Sequence, residues 1–325
     1  MSIFSKLHTV LRRAFHGANI PAGKIAKVTT CELKRPEGIR RYLIALPSKT
    51  SSEKRPLVII LHGSGSSAAQ VLGMAFPTSP LSVWLEIGER EQVVILAPDG
   101  NQSVKTRAWN DSYAEITSNP KTDDIGLICA LIDTAITENA VDPARVYLMG
   151  VSKGGMMAYR AATEIAHKLA AFSSVLAAMP VSSNCGSPKS PLSALIIANT
   201  NDPMVRYQGG KFSYLFSMHA PALSIEESVM VWRNLSKLPK EASITPIPHR
   251  HSNAPTTAAR YVWGANPSGP QVSFIKIDNG GHTEPSERKR YPWLLTRIIG
   301  EQNADFEVAE EAWAFFKDKR NGLFP

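Results

Sequence analysis

The segment Val146-Tyr147-Leu148-Met149-Gly150-Val151-Ser152-Lys153-Gly154-Gly155 constrains this chain more than any other. A short apolar run reads directly into Gly-x-Ser-x-Gly, and a helix-forming run, Met156 to His167, follows at once. Strand–turn–helix is the setting in which that motif acquires meaning. The serine then sits on a turn so tight that only small flanking residues avoid a clash, and its hydroxyl stands above the sheet edge. Without that setting the same string is a glycine-rich turn with an incidental serine.

The surroundings supply the setting. Leu57-Val58-Ile59-Ile60-Leu61 and Val93-Val94-Ile95-Leu96-Ala97 are continuous apolar runs, as expected of strands covered on both faces. Arg145 to Met149, Val175 to Met179, Ala194 to Ala198 and Gln271 to Ile277 read the same way. Lys27 to Leu33 and Arg41 to Leu46 read as an opening antiparallel pair. Helices are expected over Leu81 to Arg90, Asp124 to Ala140 and Glu307 to Lys317; in the second, Ile125, Ile128, Ile132 and Ile136 form a stripe at three-to-four spacing. Alternating strands and helices imply an α/β fold: a mostly parallel, doubly wound sheet with an antiparallel start and helices on both faces.

One domain over 26–325 is expected, after an amphipathic segment at 1–25. In that segment Ile3, Phe4, Leu7, Val10, Leu11 and Phe15 fall at helical spacing among Lys6, Arg12 and Arg13. Such a helix either packs on its own domain or lies on a membrane surface. It lacks the unbroken apolar stretch of about 7–15 residues that a secretory signal needs. No stretch approaches the roughly 20 apolar residues of a transmembrane helix. A cytoplasmic location is the expectation. Residues 238–270, rich in Pro, Ser, Thr and Asn, interrupt the alternation and suggest a cap or loop insertion beside the site.

Lys+Arg 36 against Asp+Glu 28 gives a net charge of +8, but the excess is scattered and no basic run is interleaved with stacking aromatics. Nucleic acid is therefore not an expected partner. Three cysteines, Cys31, Cys129 and Cys185, match neither a disulfide framework nor a zinc site. His249 and His251 have no accompanying carboxylate or cysteine cluster, so a solvated loop is expected there and no metal.

A serine hydroxyl needs a base within hydrogen-bond reach, and the base needs a third group to orient it. In this architecture the acid and then the histidine follow the serine, each just past a strand. Asp202 follows Ala194-Leu195-Ile196-Ile197-Ala198, and His282 follows Val272 to Ile277 through the flexible pair Gly280-Gly281. Two backbone N–H groups are then required to hold an oxyanion. One is expected from Lys153, the residue after the serine, and one from Ser64 in the loop His62-Gly63-Ser64-Gly65. That loop lacks the Gly-Lys-Ser/Thr ending of a phosphate cradle.

Several motifs, in order, resemble the polyhydroxybutyrate-depolymerase/feruloyl-esterase-like (LpqC-type) group of α/β-hydrolases. They are Leu61-His62-Gly63, Trp109-Asn110-Asp111, Asp123-Asp124-Ile125-Gly126, Asp142-Pro143-Ala144-Arg145-Val146-Tyr147, Gly150 to Arg160, Asp202-Pro203-Met204-Val205 and Gly280-Gly281-His282-Thr283. The resemblance implies the α/β-hydrolase fold and a cofactor-free serine esterase with Ser152, Asp202 and His282 as its triad. It also implies Trp109 and Asn110 as part of the cleft for a small-molecule or oligomeric ester. The chain departs from the family where Lys153 replaces an Asn or Gln and where His282-Thr283-Glu284-Pro285 replaces His-Thr-Trp-Pro. Read from the residues alone, a serine peptidase of prolyl-oligopeptidase type and a non-catalytic binding module remain open alternatives.

Overall fold

A computed structural model describes residues 25–49, 52–102, 106–214 and 218–323. The amphipathic segment expected at 1–25 therefore lies, except for Ile25, outside the described residues.

The strands in chain order are β1 (Lys27–Arg35), β2 (Gly38–Leu46), β3 (Arg55–Leu61), β4 (Val94–Pro98), β5 (Asn101–Gln102), β6 (Arg107–Ala108) and β7 (Val141–Val151). They continue with β8 (Ala171–Val175), β9 (Ser193–Asn199), β10 (Gly210–Tyr214), β11 (Met218–Ala222), β12 (Ser243–Pro246), β13 (Thr257–Trp263) and β14 (Val272–Asp278). Ten of them form one sheet in the order β1-β2-β4-β3-β7-β8-β9-β14-β13-β12. From β4 to β14 all neighbours are parallel, and antiparallel pairs close both ends.

The helices are α1 (Ala68–Val71), α2 (Trp84–Glu91), α3 (Asp124–Glu138), α4 (Lys153–Glu164), α5 (Ile225–Leu235), α6 (Trp293–Ile299) and α7 (Val308–Phe316). Because strand side chains alternate, β3 sends Leu57, Ile59 and Leu61 to one face and Val58 and Ile60 to the other. The first face is covered by α3, α4 and α5, with Trp232, Phe172 and Tyr159 at its centre. The second is covered by α1, α2 and α7, where Tyr147 stacks on Phe316. Each fully buried side chain of this size contributes roughly 1.5–3 kcal/mol, so both helical layers are held by the sheet they cover.

One expectation needs correction. The strand expected over Val175 to Met179 lies earlier, at Ala171–Val175. Ser173 and Ser174 are fully buried in it and dilute its apolar signature, while the following alanines form a loop beside the site. Within residues 238–270, β12 and β13 extend the sheet edge, with Thr257 to Trp263 paired along the whole of β14.

Candidate active site

The elbow after β7 is built by close approach. A Cβ on Gly150 would overlap the carbonyl of Gly154, and one on Gly154 would overlap the carbonyl of Leu61. Only glycines let α4 start this near the sheet. Between them Ser152 is held at φ 53°, ψ −119°, a conformation costly for a residue with a side chain. Its N–H donates to Val175 O at 2.8 Å, which ties the strained residue to the end of β8.

Two loops reach Ser152. The loop after β9 brings Asp202, whose Oδ1 accepts from the backbone N–H of Met204 and Val205, both at 2.8 Å. Its Oδ2 meets His282 Nδ1 at 2.7 Å, and His282 Nε2 meets Ser152 Oγ at 2.9 Å. Since Asp202 accepts the hydrogen bond of Nδ1–H, Nε2 is left as the acceptor for the serine hydroxyl. Burial disfavours a charged His282, but the Asp202 charge and hydrogen bond, with Glu284 adding to them, outweigh it and raise the pKa.

The base is clamped from behind. Its backbone N–H donates to Ile299 O at 2.6 Å, and Gly281 N to Glu301 O at 2.8 Å. Asn199 at the end of β9 donates its amide to the carbonyls of Gly281 and Thr283. Asn199, a strand-end polar residue with no motif around it, escapes sequence reading.

The loop after β3 lies against the serine: a Cβ on Gly63 would sit 3.5 Å from Ser152 Cβ. His62 organises that loop. Its Nε2 accepts from Gly100 N at 2.9 Å and its Nδ1 faces Gly63 O at 2.7 Å, which requires the neutral Nδ1–H tautomer. Burial, the largest influence, pushes its pKa down to about 4. Ser64 follows at the partly exposed tip. Lys153, directly after the serine, opens α4, where the first backbone N–H groups of a helix have no partner within it.

The Lys153 side chain turns inward. Its ammonium pairs with Asp111 at 2.5 Å, with side-chain exposures of 6% and 0%. Asp111 also accepts from Tyr113 N at 3.0 Å and Asn119 Nδ2 at 2.7 Å. The pair fastens the 109–119 loop to the elbow.

Trp109, expected in the substrate cleft, is fully buried. Its indole donates to His62 O at 2.8 Å and its ring packs on the imidazole, so it supports the Gly63 loop from within. Asn110 is partly buried, with its amide bonded to Thr122 O at 2.9 Å and its N–H to Asp124 at 2.7 Å. Both hold the loop. His249 is bound to Asp305 at 3.1 Å, and among the described residues no His, Cys, Asp or Glu cluster is arranged to hold a metal.

With this geometry in hand, residues 47–219 match the model of the phospholipase/carboxylesterase family. The chain belongs to that family. It is similar to a bifunctional acetylxylan esterase/xylanase of Neocallimastix patriciarum, 24% identical over 273 residues, covering 84% of this chain and 35% of that protein. It is also similar to feruloyl esterase B of Piromyces equi, 23% identical over 249 residues, covering 75% of this chain and 43% of that one. The chain thus spans less than half the length of each of these two relatives. An acetyl xylan esterase structure from Aspergillus awamori overlays with a TM-score of 0.57 at 13% identity, covering 89% of this chain and 99% of that one. At that identity the overlay speaks to fold, and the fold is that of the α/β-hydrolases.

Proposed function

We propose that this protein is a serine carboxylic-ester hydrolase working through an acyl-enzyme on Ser152. The observation that carries the reading is the unbroken hydrogen-bond chain Ser152–His282–Asp202, assembled on a strained elbow. His282 Nε2 takes the serine proton as Oγ bonds to the ester carbonyl carbon, and the imidazolium then protonates the departing alcohol as the C–O bond breaks. Water repeats the sequence on the acyl-enzyme, releasing the acid and restoring Ser152. The oxyanion of each tetrahedral intermediate is held by the backbone N–H groups of Lys153 and Ser64. A donor of that kind is worth about 2.7–4 kcal/mol.

Membership in a carboxylesterase family and similarity to proteins named for acetylxylan and feruloyl esters support ester over amide substrates. A fluorophosphonate probe should label Ser152 stoichiometrically, and short-chain p-nitrophenyl esters should be hydrolysed. Folded protein that neither labels nor turns over any ester of such a panel would end this reading.

A further inference from the structure

Five of the seven residues of helix α6, Trp-Leu-Leu-Thr-Arg-Ile-Ile, are apolar, yet none of the seven is buried. Trp293 and Ile298 are each 59% exposed, and Leu294 is exposed beside them. A soluble surface rarely gathers large side chains in this way without a partner. A second apolar exposure adjoins it. Ser79 Oγ donates to one oxygen of Glu284 at 3.0 Å and the Tyr291 hydroxyl to the other at 2.6 Å. That clamp draws the loop bearing exposed Met74 and Phe76 to the entry of α6.

The rim of this surface is cationic. Lys289, Arg290 and Arg297 are exposed. Among the described residues none of them makes an ion pair; Arg290 is spent on the carbonyls of Ser286, Gln302 and Asn303, and the Arg297 guanidinium lies over Trp293 at 5.7 Å. The nearby Glu287 and Glu307 are already engaged by Arg250 and Arg288, and exposed Glu301 offsets Arg290, which leaves Lys289 and Arg297 as the uncompensated charges. Residues 1–24 carry Lys6, Arg12, Arg13 and Lys24 with no Asp or Glu. Like charge disfavours that segment as the cover of α6, whereas both elements suit the same negatively charged surface.

We propose that α6, together with Met74 and Phe76, is a docking surface for an anionic lipid–water interface. Aromatic and aliphatic side chains enter the headgroup boundary while Lys289 and Arg297 face the anionic headgroups. Because His282 N is bonded to Ile299 O, docking sets the His282 loop directly behind the lipid surface. The inference concerns binding and stands apart from the ester-hydrolase reading.

The full chain is sedimented with vesicles of phosphatidylglycerol or phosphatidylcholine at low and high salt. Binding to phosphatidylglycerol should exceed binding to phosphatidylcholine by about tenfold and weaken with salt. The double variant Trp293→Ser/Ile298→Ser should lose about tenfold in binding while keeping the wild-type thermal midpoint, since both side chains are exposed. Equal binding to both vesicles, or none, overturns the proposal. So does a double variant that binds like the wild type, including the case where deleting residues 1–24 alone abolishes binding. A dimer that the same substitutions dissociate would assign the face to a second copy and equally overturn it.

Discussion

Glu284 stands two residues beyond His282, buried, with each carboxylate oxygen accepting from a hydroxyl group, Ser79 on one side and Tyr291 on the other. Among the described residues no cation contacts it, so the nearest positive charge it can balance is the imidazolium that forms on His282. Burial and the neighbouring carboxylate push the Tyr291 hydroxyl well above its ordinary pKa and keep it a donor.

Removing that charge has a signed consequence. Glu284 helps raise His282, so Glu284→Gln should lower the pKa of the base. Catalysis needs the neutral imidazole, and the acid limb of kcat/KM against pH should therefore move to lower pH. A variant that only loosened the loop would reduce the plateau and leave the limb in place. Profiles measured from pH 4 to 9 separate the two.

Ser152 should be more valuable to the reaction than to the fold. Ser152→Ala should lower kcat by about 10⁴-fold or more. Ser152→Gly should be as inactive yet more stable, because glycine accepts φ 53° without strain. The strain of about 1–3 kcal/mol exceeds the entropic cost of glycine, leaving a gain of about 1 kcal/mol. Calorimetry of the two variants reads this directly, and a lower midpoint for the glycine form would refute it.

The Lys153–Asp111 pair is removed from water on both sides. Lys153→Met should cost about 3–5 kcal/mol, since it leaves a buried carboxylate without its cation. Lys153→Met combined with Asp111→Asn should recover much of that loss, because the neutral amide removes the unpaired buried charge and its oxygen still accepts from Tyr113 N and Asn119. Denaturant unfolding of the two forms tests it; equal losses in both would show that the charges are not coupled.

His62 should make the protein acid-sensitive. Its pKa falls from 6.5 to about 4 on folding, so the unfolded chain binds the extra proton in between. The neutral ring's contribution is complete above pH 6.5 and is lost as pH falls toward 4, on the order of 3 kcal/mol over that window. The difference in unfolding free energy between wild type and His62→Gln should shrink over the same range. A difference independent of pH would remove His62 as the cause.

How much of this is legible in the chain depends on whether a residue's neighbours are local. Ser152, Asp202 and His282 stand out because each directly follows an apolar strand run, and the strand order converts those loops into neighbours. Trp109 is placed in the cleft by the family resemblance alone; its partner, the His62 carbonyl, lies 47 positions away and leaves no mark nearby. The Lys153–Asp111 pair and the Asn199 clamp are hidden for the same reason. Ser173 and Ser174 mislead in the opposite sense, since polar side chains inside a fully buried strand shift the expected boundary of β8 past its true end.

The position of β14 carries a consequence for how the protein comes into being. It is inserted between β9 and β13, neighbouring one strand made some 78 residues before it and one made immediately before it. A nascent chain that has emerged as far as β9 already owns the elbow, and a few residues later owns Asp202, but it has no imidazole to join them. The reactive constellation therefore comes into existence in a single late step, when the last parallel strand is zipped into a sheet that has been waiting for it.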